Sequence, residues 1–195
     1  MEKLRTRKQR ERINRRNQII IGIILIGIMA FGGVGFLNTS TKGDALDSED
    51  IEYNGIMFIK NGDSWNFQTS NGNFITRYNP NQTKDIIFTS QTSVQDYINK
   101  PLYLVSPPGE TFAEISSNLV QFPQRINNAC LRDLECLGDY PIKNCSVDNV
   151  IIIREPVEKE PERVYNEEKC FFIVSEYANQ TKYADAFLFG ILDVN

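Results

Sequence analysis

Four cysteines are the residues of this chain best suited to chemistry: Cys130, Cys136, Cys145 and Cys170, spaced C-x5-C-x8-C-x24-C. That spacing lacks the close C-x2–4-C pairs of common zinc sites and the C-x-x-C of redox motifs. The chain has no histidine to complete a metal site. The same absence removes Ser-His-Asp and Cys-His nucleophile systems. Neither a Walker A loop nor a G-x-G-x-x-G fingerprint occurs. In an oxidising compartment the four cysteines are expected to be structural disulfides, with no cofactor or metal.

Four cysteines allow three connectivities. Cys145 precedes the strand-like "VIII" (Val150 to Ile153), and Cys170 opens the strand-like "CFFIV" (Cys170 to Val174). A bridge between those strands leaves Cys130 with Cys136. A helix over Ile126 to Leu137 would hold that second pair about 9 Å apart along its axis, beyond the usual reach of a disulfide. Either the helix ends near Cys130 or the pairing differs.

Carboxylates are the other reactive groups. Asp133, Glu135 and Asp139 lie between cysteines and could hold a cation or act as an acid/base pair. They lack the alternating ligands of an EF-hand loop, so a solvated acidic surface is the simpler reading. "REPVEKEPER" (Arg154 to Arg163) mixes both charge signs with Pro156 and Pro161 and reads as an extended exposed loop, with partner binding as its alternative. Trp65, Tyr53, Tyr78, Phe171 and Phe172 would line a pocket or, more simply, fill a core. Asp185 sits beside an apolar helical stripe. Exposure is the simpler reading, and burial against Arg125 or Arg132 the other. Asn38, Asn81 and Asn179 are candidate glycosylation sites, each opening an N-x-S/T sequon; Asn144 opens a fourth, beside Cys145.

The elements that position these groups begin with an address. Residues 1–17 carry eight basic residues against only Glu2 and Glu11, whereas the remainder has 13 basic and 23 acidic residues. Ile19 to Leu37 holds no charge and seven isoleucines. As a helix it would span roughly 28 Å, the thickness of a bilayer core. The expected organisation is a basic cytoplasmic tail (1–17), a transmembrane helix (18–37), a polar linker (38–50) and an extracytoplasmic domain (51–195). The basic flank sets this orientation. A cleaved signal peptide is the rival, since Gly32 to Gly35 could imitate a cleavage site. The lipid bilayer is thus one expected partner, through residues 19–37; another membrane or envelope protein is the second, and nucleic acid is not expected.

The outer domain is long enough for one core. Ile51 to Ile59, Ser64 to Thr69 and Phe74 to Tyr78 read as an antiparallel meander joined by Asn-Gly turns. Ile86 to Thr89 and Leu102 to Val105 are short strands. Thr92 to Asn99 is a capped turn with Ser93 as N-cap. Thr111 to Phe122 and Ile126 to Leu137 show helical spacing. Thr181 to Leu192 closes the chain as a helix with Tyr183, Phe187 and Ile191 on one stripe. The fold class is α+β: a mainly antiparallel sheet with a few packed helices, preceded by one transmembrane helix.

"YNGIMF" (Tyr53 to Phe58), "RYNP" (Arg77 to Pro80), "PIKNCSVDNVIII" (Pro141 to Ile153) and "ADAFLFGILDV" (Ala184 to Val194) carry a resemblance. With this layout, the chain resembles uncharacterised single-span membrane proteins of small-genome archaea. The resemblance implies a similar fold and brings no activity and no functional residue with it. The expected function is a membrane-anchored, disulfide-stapled binding or assembly domain. The alternatives are a surface enzyme using paired carboxylates and a subunit of a secretion or transport complex.

Overall fold

The computed structural model describes residues 20, 49–88, 90, 92–132, 136 and 138–194. The basic tail, the apolar run apart from Ile20, and linker residues 38–48 with Asn38 lie outside the described residues, as do Asp133 and Glu135. Among the described residues, no helix is long and apolar enough to cross a membrane. The strands and helices named here belong to one compact unit, Leu46–Asn195.

Its first half is a meander of four strands, not three: β1 (Ile51–Tyr53), β2 (Ile56–Asn61), β3 (Ser64–Thr69) and β4 (Gly72–Thr76), each antiparallel to the next. The extra turn is Asn54-Gly55, where both residues have positive φ (49° and 78°). That is the backbone of a tight hairpin turn, and Asn and Gly adopt it most readily. Alternation places Phe58, Trp65, Phe67 and Phe74 on the buried face. Met57, Ile59 and Ile75 face outward. A helical turn, α1 (Pro80–Thr83), follows, with Asn79 and Gln82 forming a capping box. Ser93 caps the 3-10 turn Val94–Tyr97 in the same reciprocal way, with Asp96 as its partner.

A second sheet, absent from the sequence-based reading, is mixed. Its order is β10 (Arg163–Glu167), β11 (Cys170–Val174), β9 (Asn149–Arg154), β5 (Pro101–Val105) and β6 (Arg125–Asn128). Only β10 and β11 pair antiparallel; β11, β9, β5 and β6 all run the same way. Parallel neighbours need a crossover, and α2 (Glu110–Leu119) supplies it between β5 and β6. Both faces of this sheet are covered. Ile151, Ile153, Phe171 and Ile173 join the main core, whereas Val150, Ile152, Phe172 and Val174 join a smaller cluster with Tyr103 and Ala129.

The helix expected over Ile126 to Leu137 is not formed among the described residues of that span. Arg125–Asn128 is instead β6, and Cys130–Leu131 is β7, paired with β8 (Ile142–Lys143). Ile126 and Cys130 satisfy a helical spacing, but Asn127 and Asn128 are weak helix formers, and β5 offers a hydrogen-bonding edge. Ile86 to Thr89 also falls short of a strand: within it, Phe88 makes an isolated bridge to Val164.

The last helix, α3 (Gln180–Ile191), is buried on nearly every side. Phe187 meets Phe171 of the mixed sheet at 5.1 Å between ring centroids. Phe189 meets Phe58 and Phe67 of the meander at 5.8 and 5.7 Å. The helix therefore lies between the sheets, and its apolar surface is wider than one stripe. α2 guards the meander's edge: the Asn118 amide donates to Ile75 O at 2.7 Å, and its Oδ1 accepts from Ile75 N at 3.0 Å. A side-chain amide so paired stands in for a neighbouring strand.

Candidate functional site

Two disulfides staple the domain, Cys130–Cys136 and Cys145–Cys170, with Cα separations of 5.4 and 5.0 Å. The extended backbone at Cys130 removes the conflict that a helix there would create. Cys145–Cys170 ties the start of β11 to the segment leading into β9.

The parallel strands direct their carboxyl ends to one edge of the mixed sheet, and a cleft of about 380 Å³ opens there. Its lining comes from those ends: Leu104 to Pro107 after β5, Asn128 to Cys130 after β6, Ile152 to Glu155 after β9, and Tyr177 and Gln180 after β11. The chain leaves β5 through α2 towards β6, while β9 flanks β5 on the other side. Crevices at such reversals in strand order are where open parallel sheets bind ligands, because the departing loops splay apart. Leu104, Val105, Ala129 and Ile152 give the cleft an apolar floor. Tyr140 and Tyr177 stand in its wall at 41 and 69 % exposure. A second cavity, about 340 Å³, shares Ser106, Pro107, Tyr177 and Gln180 with the first and continues along the amino ends of α2 and α3. There the Thr111 and Thr181 hydroxyls pair at 3.0 Å.

The loop after β9 is largely exposed, as expected from its sequence, and it also forms a wall of the cleft. Arg154 grips Glu160 with two hydrogen bonds of 2.6 and 2.7 Å. This grip holds the Glu160 carboxyl below the usual carboxylate value. Burial pushes the Glu162 carboxyl up, but donors from Glu176 N–H, Ser175, Asn179 and Tyr183 outweigh it and hold this group low too. Glu162 thereby anchors the loop to the chain entering α3. Glu155, by contrast, has no ion-pair partner among the described residues and lines the cleft.

The remaining candidates fall elsewhere. Trp65 and Phe171 are core residues, Phe172 packs on the far face of the mixed sheet, and none of the five suggested aromatics lines the cleft. Asp185 is fully buried, contrary to the simpler expectation, and no arginine among the described residues pairs with it. Its Oδ2 accepts from Tyr78 N at 2.8 Å, beside Glu114, which accepts from Arg77 N. Burial, and then the Glu114 charge, push the Asp185 carboxyl well up. This carboxyl pair lines neither cavity. Asp139 is exposed. Asn81 is exposed on α1, while the half-buried Asn179 donates to Glu162 at 3.4 Å. Among the described residues, no group of three potential ligands could hold a metal ion.

The cleft was missed in the sequence because its residues follow four strands far apart in the chain. A signal was present: "VIII" and "CFFIV" are unbroken apolar runs, the mark of strands buried on both faces in a parallel sheet. Compared with known proteins, the chain matches no family model, no curated protein and no solved structure.

Proposed function

We propose that the chain is a membrane-anchored binding protein whose disulfide-stapled domain holds a ligand in the cleft at the carboxyl edge of the mixed sheet. The cleft carries this reading. It is concave, its floor is apolar, a few polar groups converge on it, and it sits where the strand order reverses. Two disulfides support an oxidising compartment, outside the cytoplasm. The uncharged run from Ile19 to Leu37 behind a basic tail supports a single-span anchor with the domain outside. The carboxyl pair of Asp185 and Glu114 lends no support to hydrolysis in this cleft, since it lines neither of the two cavities.

A photoreactive residue at Val157, on the cleft wall, tests the reading in the native membrane. The expected result is a discrete crosslink that is lost when Ala129→Trp fills the floor, while the same probe at Ile75 on the meander gives none. Crosslinks that persist unchanged in the filled cleft would reject the site. Protease added to intact cells tests the anchor separately: digestion of 51–195 with retention of 1–17 is expected, and protection of the domain would reverse the orientation.

A further inference from the structure

Building on that reading of the cleft, we propose that it recognises an extended, cationic segment of a partner polypeptide, in which an apolar side chain is flanked by lysine or arginine. Shape is the first argument. The two cavities abut through Ser106, Pro107, Tyr177 and Gln180, so the depression is a groove two compartments long. A compact ligand would fill one compartment; an extended chain advancing about 3.3 Å per residue runs through both.

Charge is the second argument. Among the described residues the groove has one cation in its lining, Arg154, and Glu160 occupies it with a two-pronged ion pair. Two carboxylates remain, one in each compartment: Glu155 in the first and Glu110 in the second. Both residues are exposed and have no ion-pair partner among the described residues. The groove therefore disfavours acidic ligands and complements basic ones. Tyr177 stands between the compartments and Tyr140 flanks the first; a tyrosine face attracts an ammonium or guanidinium group. The apolar floor accounts for the uncharged side chain.

Fluorescence anisotropy with the full chain in neutral detergent tests this inference. The probes are labelled peptides Ser-Lys-Phe-Lys-Ser, Ser-Gln-Phe-Gln-Ser, Ser-Glu-Phe-Glu-Ser and Ser-Lys-Ser-Lys-Ser. The expected order has the first peptide tightest, at least about fivefold over the glutamine version, as one or two part-exposed ion pairs and an aromatic face would give. Glu155→Gln with Glu110→Gln should erase that preference and leave the glutamine peptide unchanged. Equal binding of the lysine and glutamine peptides, or a preference that survives both substitutions, would overturn the inference. Tightest binding of the glutamate peptide would overturn it too, while leaving the cleft as a binding site. Binding of none of the four would also overturn it, and the Val157 crosslink then decides the cleft by itself.

Discussion

Asp185 in the last helix accepts a hydrogen bond from the backbone N–H of Tyr78 at 2.8 Å, joining positions 107 residues apart in the chain. Glu114 takes the preceding N–H, of Arg77, so two acids cap the end of β4. Asp185 is fully buried and its Oδ1 has no hydrogen-bond partner among the described residues. Burial and the Glu114 charge favour its protonated form. A carboxyl raised in the folded state binds its proton more tightly there than in the unfolded chain. Stability from this group is full below the unfolded value of about 3.9 and falls as pH rises towards the folded value. Asp185→Asn keeps the acceptor for Tyr78 and carries no charge. It should raise the melting temperature at neutral pH and flatten this fall. A lower melting temperature with an unchanged pH slope would show that the carboxylate is ionised in place.

Arg154 and Glu160 predict the opposite pH sign. The Glu160 carboxyl is held low, so the pair stabilises above the unfolded glutamate value and is lost on acidification through the folded one. Arg154→Met should cost about 1–3 kcal/mol at neutral pH, between the ranges for surface and buried pairs. The difference from wild type should shrink in acid. Thermal melts of both proteins across the acid range check this, and a constant difference would contradict it.

Much of the meander was legible before the structure. Asn-Gly signals and alternation in Ser64 to Thr69 located its hairpins and put Trp65 and Phe67 on one face. The Asn54-Gly55 turn carries the same Asn-Gly signal, but "IEYNGIMFI" reads as one strand when its two halves are taken together. The mixed sheet was less legible for a different reason: strand order is a long-range property, and "LYLV", "VIII" and "CFFIV" are interchangeable as patterns. Cys130 shows how a local period misleads. Its four-residue spacing from Ile126 fits a helix, yet pairing of β6 with β5 decides the backbone. Asp185 was misread because its partners are backbone N–H groups, and sequence does not show where those point.

Phe187 and Phe189 should behave alike although they face different sheets. Each is fully buried among aromatic rings. Phe187→Ala and Phe189→Ala should each cost about 3–5 kcal/mol, enough to unfold a marginal domain. Denaturant melts measure this. A stable Phe187→Ala domain would remove α3 from the core and recast its apolar face as a docking surface.

The disulfides should contribute unequally. Cys145–Cys170 closes a span of 25 residues and Cys130–Cys136 one of 6. Chain entropy assigns about 3 kcal/mol or more to the longer loop and less to the shorter. Replacing Cys145 and Cys170 together by alanine should lower the melting temperature more than replacing Cys130 and Cys136. The reverse order would contradict the entropic ranking. Thiol labelling of the denatured, unreduced wild-type chain should modify none of the four.

Oxidative footprinting of the protein in intact cells, compared with the purified protein, tests the binding cleft most directly. Tyr140 and Tyr177 are exposed at the cleft, and Met57 is exposed on the outer face of the meander, so one experiment reads both surfaces. Occupation of the cleft predicts that the two tyrosines oxidise several times more slowly in cells while Met57 is unchanged. Equal tyrosine rates in both settings, or protection at Met57 in place of the tyrosines, would contradict the assignment.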